Sequence, residues 1–229
     1  MATPPIHDLA FLGLHTALRQ GHPVVALIGA GMSIPDCVDA NALRTHLLGV
    51  IGDHEAVGDL SQVAQRAWDH DAEGVRTLLV ACFGGKSPDK TKERYRALVR
   101  AGFRVIVSLN YDTLLDEAIR SEGLEIERPD VATLAARPNL LQQYLDEPGH
   151  ACVRVLQIHG RIDWKAARDI VLTTGQYAEA YRSGGALRDV LRQIFLNAYV
   201  CCFGYGGGED RMIETARLVH EDLRATGQL

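Results

Sequence analysis

Several things are missing from this sequence, and each absence narrows the reading. No apolar run approaches the ~20 residues that a membrane-spanning helix requires. There is no basic excess. Lys and Arg number 24 against 29 Asp and Glu, a net charge of −5 with a pI near 6.0, so no broad positive field gathers nucleic acid or anionic lipid. Neither nucleic acid nor a membrane is therefore expected as a direct partner. The five cysteines (Cys37, Cys82, Cys152, Cys201 and Cys202) are odd in number and form no Cys-x-x-Cys pair. That argues against a disulfide framework and a paired-knuckle zinc site; no metal is expected, and the thiols read as small buried hydrophobes. The opening Met-Ala-Thr-Pro-Pro has neither a basic start nor an apolar signal core, so a cytoplasmic location is expected. No internal repeat or low-complexity linker is present.

What is there is an ordinary globular composition, 47% hydrophobic and 23% charged over 229 residues. Residues 1–229 read as one α/β domain, with a helical insert over about 36–100. The organising stretch is Val24-Val25-Ala26-Leu27-Ile28, a strand apolar on both faces, running into Gly29-Ala30-Gly31-Met32-Ser33. Two glycines there allow a tight turn and close approach of backbone to a ligand. A helix following the turn would point free N–H groups at a phosphate. A dinucleotide fingerprint needs a third glycine, where this chain has Ile34 and then Pro35. Alone, the turn leaves nucleotide binding and a plain strand-turn equally open.

Upstream, Leu9 to Gln20 reads as a helix capped by Asp8, with Phe11, Leu14 and Leu18 on one face and Gly21 at its end. From Val38 to Arg100 apolar residues recur at helical spacing, with Leu43, Leu47, Leu48, Val63, Ala67, Trp68, Leu78 and Leu79 as core positions. Asp53 stands where a dehydrogenase places its ribose-binding acid, but follows a helical pattern and reads as a loop acid. Gly84-Gly85-Lys86-Ser87 resembles the end of a P-loop without its strand or first glycine.

Further strands are Arg104–Leu109, ending in Asn110-Tyr111-Asp112, a short one within Gly123–Arg128, and Cys152–Ile158, ending in His159-Gly160. Ile170–Thr173 and Tyr199–Phe203 follow, the latter ending in Gly204-Tyr205-Gly206-Gly207-Gly208. Helices are expected at Leu114–Ile119, at Val131–Leu145 with a break at Pro138, at Leu187–Asn197, and finally through Met212, Ala216, Val219 and Leu223. The expected fold is a Rossmann-like parallel sheet flanked by helices, with a helical lobe inserted after the first strand. In such a sheet the four ends Gly-Ala-Gly, Asn-Tyr-Asp, His-Gly and Gly-Tyr face one edge and converge on one crevice.

At these residues the chain resembles the sirtuin-like NAD-consuming superfamily. Gly29-Ala30-Gly31-Met32-Ser33 is similar to its Gly-Ala-Gly-x-Ser turn, and Ser108-Leu109-Asn110-Tyr111-Asp112 to its Thr-x-Asn-x-Asp motif. Ile158-His159-Gly160 is similar to its His-Gly, and Phe203-Gly204-Tyr205 to its late Gly-Tyr strand end. Val171–Tyr177 is similar to the strand ending near a tyrosine in its prokaryotic branch. The likeness runs from about Val24 to Asp210, in the family's order. It departs in two places: the zinc-binding cysteines of the deacylases are missing, and Gly206-Gly207-Gly208-Glu209-Asp210 stands where Ser-x-x-Asp is usual.

The resemblance implies NAD as substrate, with no metal. It points to the zinc-free prokaryotic branch, whose members cleave NAD to nicotinamide and ADP-ribose as antiviral-defence effectors. A deacylase or ADP-ribosyl transferase, and a non-catalytic NAD or ADP-ribose sensor, are the alternatives. It implies Asn110 and His159 as catalytic, the histidine titrating near neutrality as a general base. Gly29, Ala30, Gly31, Ser33, Gly204 and Tyr205 would hold the dinucleotide, with Ser33 at the pyrophosphate. Asp112 either contacts the nicotinamide or only caps the next helix. An effector of this kind must be silent until triggered, so a homo-oligomer or an activating sensor partner is expected.

Overall fold

The structure, a computed structural model, describes residues 6–53, 57–87, 89–103, 105–147, 152–163, 167–206 and 210–225. Helix α1 (Ile6–Arg19) leads into strand β1 (Val24–Ile28), then a short 3-10 turn (Ala30–Met32). Three helices follow: α2 (Ala40–Ile51), α3 (Leu60–Phe83) and α4 (Lys92–Arg100). Strand β2 (Val105–Ser108), helix α5 (Leu114–Ser121), strand β3 (Glu125–Glu127) and helices α6 (Val131–Ala136) and α7 (Pro138–Asp146) come next. Strand β4 (Cys152–Gln157) and the two-residue strands β5 (Arg161–Ile162) and β6 (Ala167–Arg168) precede α8 (Thr174–Ala180). The chain then runs through α9 (Ala186–Asn197), β7 (Tyr199–Phe203) and α10 (Asp210–Ala225).

Five strands form one sheet in the order β3-β4-β2-β1-β7, every neighbouring pair parallel. Alternation along the strands divides the core in two. Val24, Ala26, Ile28, Ile106 and Val155 face one apolar layer, which includes residues of α2 to α5. Val25, Leu27, Val105, Val107 and Leu156 face the other, with Leu141, Leu191 and Met212. Both faces are covered, so β1 and β2 are apolar at nearly every position, as a buried parallel sheet demands. The result is the expected α/β, Rossmann-like sheet with helices inserted after the first strand.

Some local expectations fail for identifiable reasons. Helix α1 already includes Ile6, so Asp8 is a helical residue and not the one that precedes the helix. Leu14 packs on the core, but Leu18 is 59% exposed. Ile170–Thr173 joins no ladder. Its amides are spent otherwise: Val171 N–H donates to the His159 carbonyl, and Leu172 and Thr173 N–H to Gln176 Oε1. The thiols are not uniformly buried: Cys37 and Cys82 are, Cys152 and Cys201 are half-buried, and Cys202 is exposed. Asp53 lies just past Gly52, the left-handed cap of α2, as an exposed loop residue. Arg104, the Gly207–Glu209 stretch and the side chain of Leu223 lie outside the described residues.

Candidate active site

The C-terminal ends of β1, β2, β4 and β7 border one cavity of about 980 Å3. That is at the upper end of the roughly 300–1,000 Å3 usual for small-molecule sites and suits an elongated ligand. All nine candidate residues line it: Gly29, Ala30, Gly31, Ser33, Asn110, Asp112, His159, Gly204 and Tyr205. The inserted helices close the opposite wall through Asp39, Ala40 and Asn41 at the start of α2, and Asp59, Leu60 and Ser61 at the start of α3. Both helices direct their positive ends toward the space, each already capped by its own aspartate.

The glycine turn is built differently from expectation. No α-helix follows it at once; α2 starts only at Ala40. Gly29 N–H donates to the Phe203 carbonyl and Gly31 N–H to that of Gly204, while Met32 and Ser33 close the 3-10 turn. The glycines bring two strand ends against each other. A Cβ on Gly31 would stand 2.9 Å from Gly204 Cα, and one on Gly204, whose φ is +60°, only 2.3 Å from Met32 N. Ala30 is the exposed residue of the turn and sits on the cavity wall. Arg94 of α4 holds the turn from behind, its Nη1 donating to the Gly31 carbonyl at 2.6 Å.

Ser33 is the hub of a buried polar cluster. Its Oγ donates to Asp112 Oδ2 at 2.6 Å, accepts from Asn110 Nδ2 at 3.0 Å, and lies 2.8 Å from the Tyr95 hydroxyl. Asn110 Nδ2 also donates to the Tyr95 hydroxyl at 3.2 Å. Ser33, Tyr95, Asn110 and Asp112 are all at most 6% exposed. With its hydrogen committed to Asp112, the serine holds its neighbours and has none to offer a pyrophosphate. The other Asp112 oxygen accepts from Leu114 N–H, so this carboxylate satisfies the first amide of α5, one residue before the N-cap Thr113, as well as anchoring Ser33. Burial pushes the Asp112 carboxyl above its ordinary range, although the Ser33 and Leu114 hydrogen bonds oppose the shift. Asn110 Oδ1 is buried and, among the described residues, has no hydrogen-bond partner.

His159 follows β4 as Asn110 follows the neighbouring β2, and it sits in an aromatic corner. Its Nε2 is 2.8 Å from the Tyr181 hydroxyl, and the rings of Tyr177 and Tyr181 meet the imidazole edge-on, with centroids 5.3 and 5.9 Å away. At 1% exposure it does not titrate near neutrality. Desolvation pushes it down to about 4, against a hydrogen bond to the Leu109 backbone, so it is a neutral imidazole at physiological pH. A neutral imidazole accepts a proton, but with less driving force than the near-neutral group expected.

Two site residues escaped the sequence reading. Tyr95 shares a helical face with Leu98 and Val99, and all three are buried, so its spacing reads as plain core. The available signal is its hydroxyl, since a tyrosine in an apolar stripe needs a polar partner. Tyr181 lies four residues after Tyr177, a spacing that places both on one helix face. Among the described residues, no group of three or more His, Cys, Asp or Glu side chains is arranged to hold a metal.

Comparison with known proteins agrees with this architecture. No curated protein matches the chain. The family model described as SIR2-like domain matches residues 104–228, more than half of the sequence, and the matched span carries Asn110, Asp112, His159, Gly204 and Tyr205. The chain belongs to the SIR2-like domain family.

Proposed function

We propose that the chain hydrolyses NAD to nicotinamide and ADP-ribose. SIR2-like domains use NAD, and the observation that carries the hydrolase reading is the buried Asn110 carboxamide, its Nδ2 held by Ser33 and Tyr95 and its Oδ1 unpartnered at the cavity wall. The residues fit such a substrate. The cavity is large enough, and the glycine turn, with Ala30 exposed, lets backbone approach a ligand closely at its wall. Gly29, Gly31, Gly204 and Tyr205 shape that wall.

Cleavage of an N-glycosidic bond passes through an oxocarbenium-like state. The departing electron pair neutralises the pyridinium nitrogen, so nicotinamide leaves without a strong acid. Water then bonds to the anomeric carbon and must lose a proton. Asn110 Oδ1 is a hydrogen-bond acceptor fixed in direction, suited to orient that water or a ribose hydroxyl. His159, neutral at pH 7, takes up the proton. Asp112 works from behind Ser33, keeping the cluster polarised.

This activity fits a regulated effector of prokaryotic antiviral defence, triggered by self-assembly or a sensor partner. Incubation of the purified chain with NAD and an acetylated peptide, followed by chromatography, should yield nicotinamide and free ADP-ribose with the peptide untouched. Asn110→Ala and His159→Ala should each lower turnover by at least about a thousandfold while keeping the fold. Loss of the acetyl group or ADP-ribose attached to an acceptor would select the transferase reading. Bound but intact NAD in the assembled protein would select the sensor.

A further inference from the structure

Tyr95 comes from α4, in the inserted helices, and is wholly buried. Its place next to Asn110 follows from a chain of donors with only one consistent direction. Asp112 is the anchor: one oxygen accepts from Leu114 N–H and the other from Ser33 Oγ. Having spent its hydrogen there, Ser33 meets Asn110 and Tyr95 as an acceptor. Asn110 must therefore present Nδ2, because the flipped amide would set Oδ1 against a serine lone pair. The Tyr95 hydroxyl gives its hydrogen to Ser33 and also accepts from Nδ2. The carboxamide nitrogen is then held by two acceptors, and Oδ1 is left without a partner among the described residues.

We infer that Tyr95 is a positioning residue for Asn110, and that the helical insert thereby fixes the direction in which the asparagine accepts a hydrogen bond in NAD hydrolysis. This rests on the hydrolase reading for its consequence in catalysis, but the positioning itself does not. Side-chain torsions of asparagine that end in the planar amide are broad and roughly two-fold. Backbone contacts alone do not hold the group, whereas two hydrogen bonds on one edge do. Helix α4 is itself well anchored. Asp36 accepts from Lys90 N–H and from the Thr91 amide and hydroxyl just before it, and Arg94 grips the Gly31 carbonyl. The same helix thus supports the glycine turn and orients the Asn110 amide.

The test is Tyr95→Phe in the full chain, read in two ways. The first is the 1H–15N signal of the Asn110 side-chain amide, identified by its disappearance in Asn110→Asp. In the unsubstituted protein these protons should exchange slowly with solvent. In Tyr95→Phe the pair should shift and exchange at least about tenfold faster, as expected for a lost buried hydrogen bond. The second is turnover: kcat should fall at least about tenfold with KM within about twofold, since the binding walls are untouched. Fast exchange of the amide in the unsubstituted protein overturns the inference without any variant having to fold. An unchanged signal in Tyr95→Phe overturns it too, as does unchanged kcat in a chain that hydrolyses NAD. Should the unsubstituted chain leave NAD intact, the hydrolase reading fails, and the amide signal still decides the positioning.

Discussion

Two neighbouring groups on the cavity wall bury their key side chains almost equally, by opposite means. Asn110, 6% exposed, is enclosed by hydroxyls and a carboxylate that satisfy one another. His159, 1% exposed, is enclosed by two tyrosine rings, with Tyr181 supplying a hydrogen bond at Nε2. The first group is a network, in which removing one member strands several others. The second is an apolar pocket, in which the cost falls on the charged form of one ring. Burial accordingly moves the two ionisable groups to opposite sides of their ordinary values, Asp112 up and His159 down. Equal exposure therefore conceals unequal sensitivity to mutation and to pH.

The largest effect should come from breaking the network at its hub. Ser33→Ala leaves Asp112 Oδ2, Asn110 Nδ2 and the Tyr95 hydroxyl each short of a partner. Stranded buried groups cost about 1–3 kcal/mol apiece, more when charged, so destabilisation by about 4 kcal/mol is expected. Tyr181→Phe, the matched change in the aromatic corner, removes one hydrogen bond and should cost about 1 kcal/mol. Urea unfolding of both variants measures the pair. Equal losses would mean that the Ser33 cluster is not a cooperative unit.

Acid should separate the two groups next. The folded state holds the His159 pKa at about 4 against an ordinary 6.5, so between those values the unfolded chain takes up a proton that the folded chain refuses. Stability from this residue is complete above 6.5 and is lost as pH falls to about 4, in total about 3 kcal/mol. Asp112 acts in reverse. Its raised carboxyl favours the fold at low pH, and that contribution is lost as pH rises through the folded value. Unfolding free energies of the parent and His159→Gln, measured from pH 7 to pH 4, should converge toward acid. Parallel curves would show that the imidazole is not held neutral.

Legibility in the sequence follows the same division. Residues at strand ends were readable, because a buried parallel strand is a continuous apolar run and its polar termination marks the sheet edge. Gly29, Asn110, His159 and Gly204 all stand at such terminations, and all line the cavity. Tyr95 and Tyr181 lie on helices, where an aromatic at core spacing hides its hydroxyl. The role of Ser33 was also hidden, since its partners Tyr95, Asn110 and Asp112 are 62 to 79 residues away in sequence. Ile170–Thr173 misled in the other direction. Its apolar residues satisfy burial, with Ile170, Val171 and Leu172 at 8, 9 and 1% exposure, but the Gln176 side chain takes two of its amides. Apolar pattern reports what is buried, and does not by itself specify which partner receives the backbone hydrogen bonds.

That same segment supplies the smallest test. Thr173 caps α8 through a reciprocal pair: its Oγ1 accepts from Gln176 N–H, and Gln176 Oε1 accepts from Thr173 N–H. Helix α8 carries Tyr177, and Tyr181 is its C-terminal cap, so the threonine sets the entry of the element that walls in His159. Thr173→Ala should cost about 1 kcal/mol, the usual worth of such a cap. Its diagnostic value lies in where the disturbance stops. The imidazole signals of His159 should move, because its two aromatic neighbours depend on α8. The side-chain amide of Asn110 should not, because its partners come from the glycine turn and α4. A disturbance that reached both signals would make the two groups one cooperative structure and remove the distinction between network and pocket.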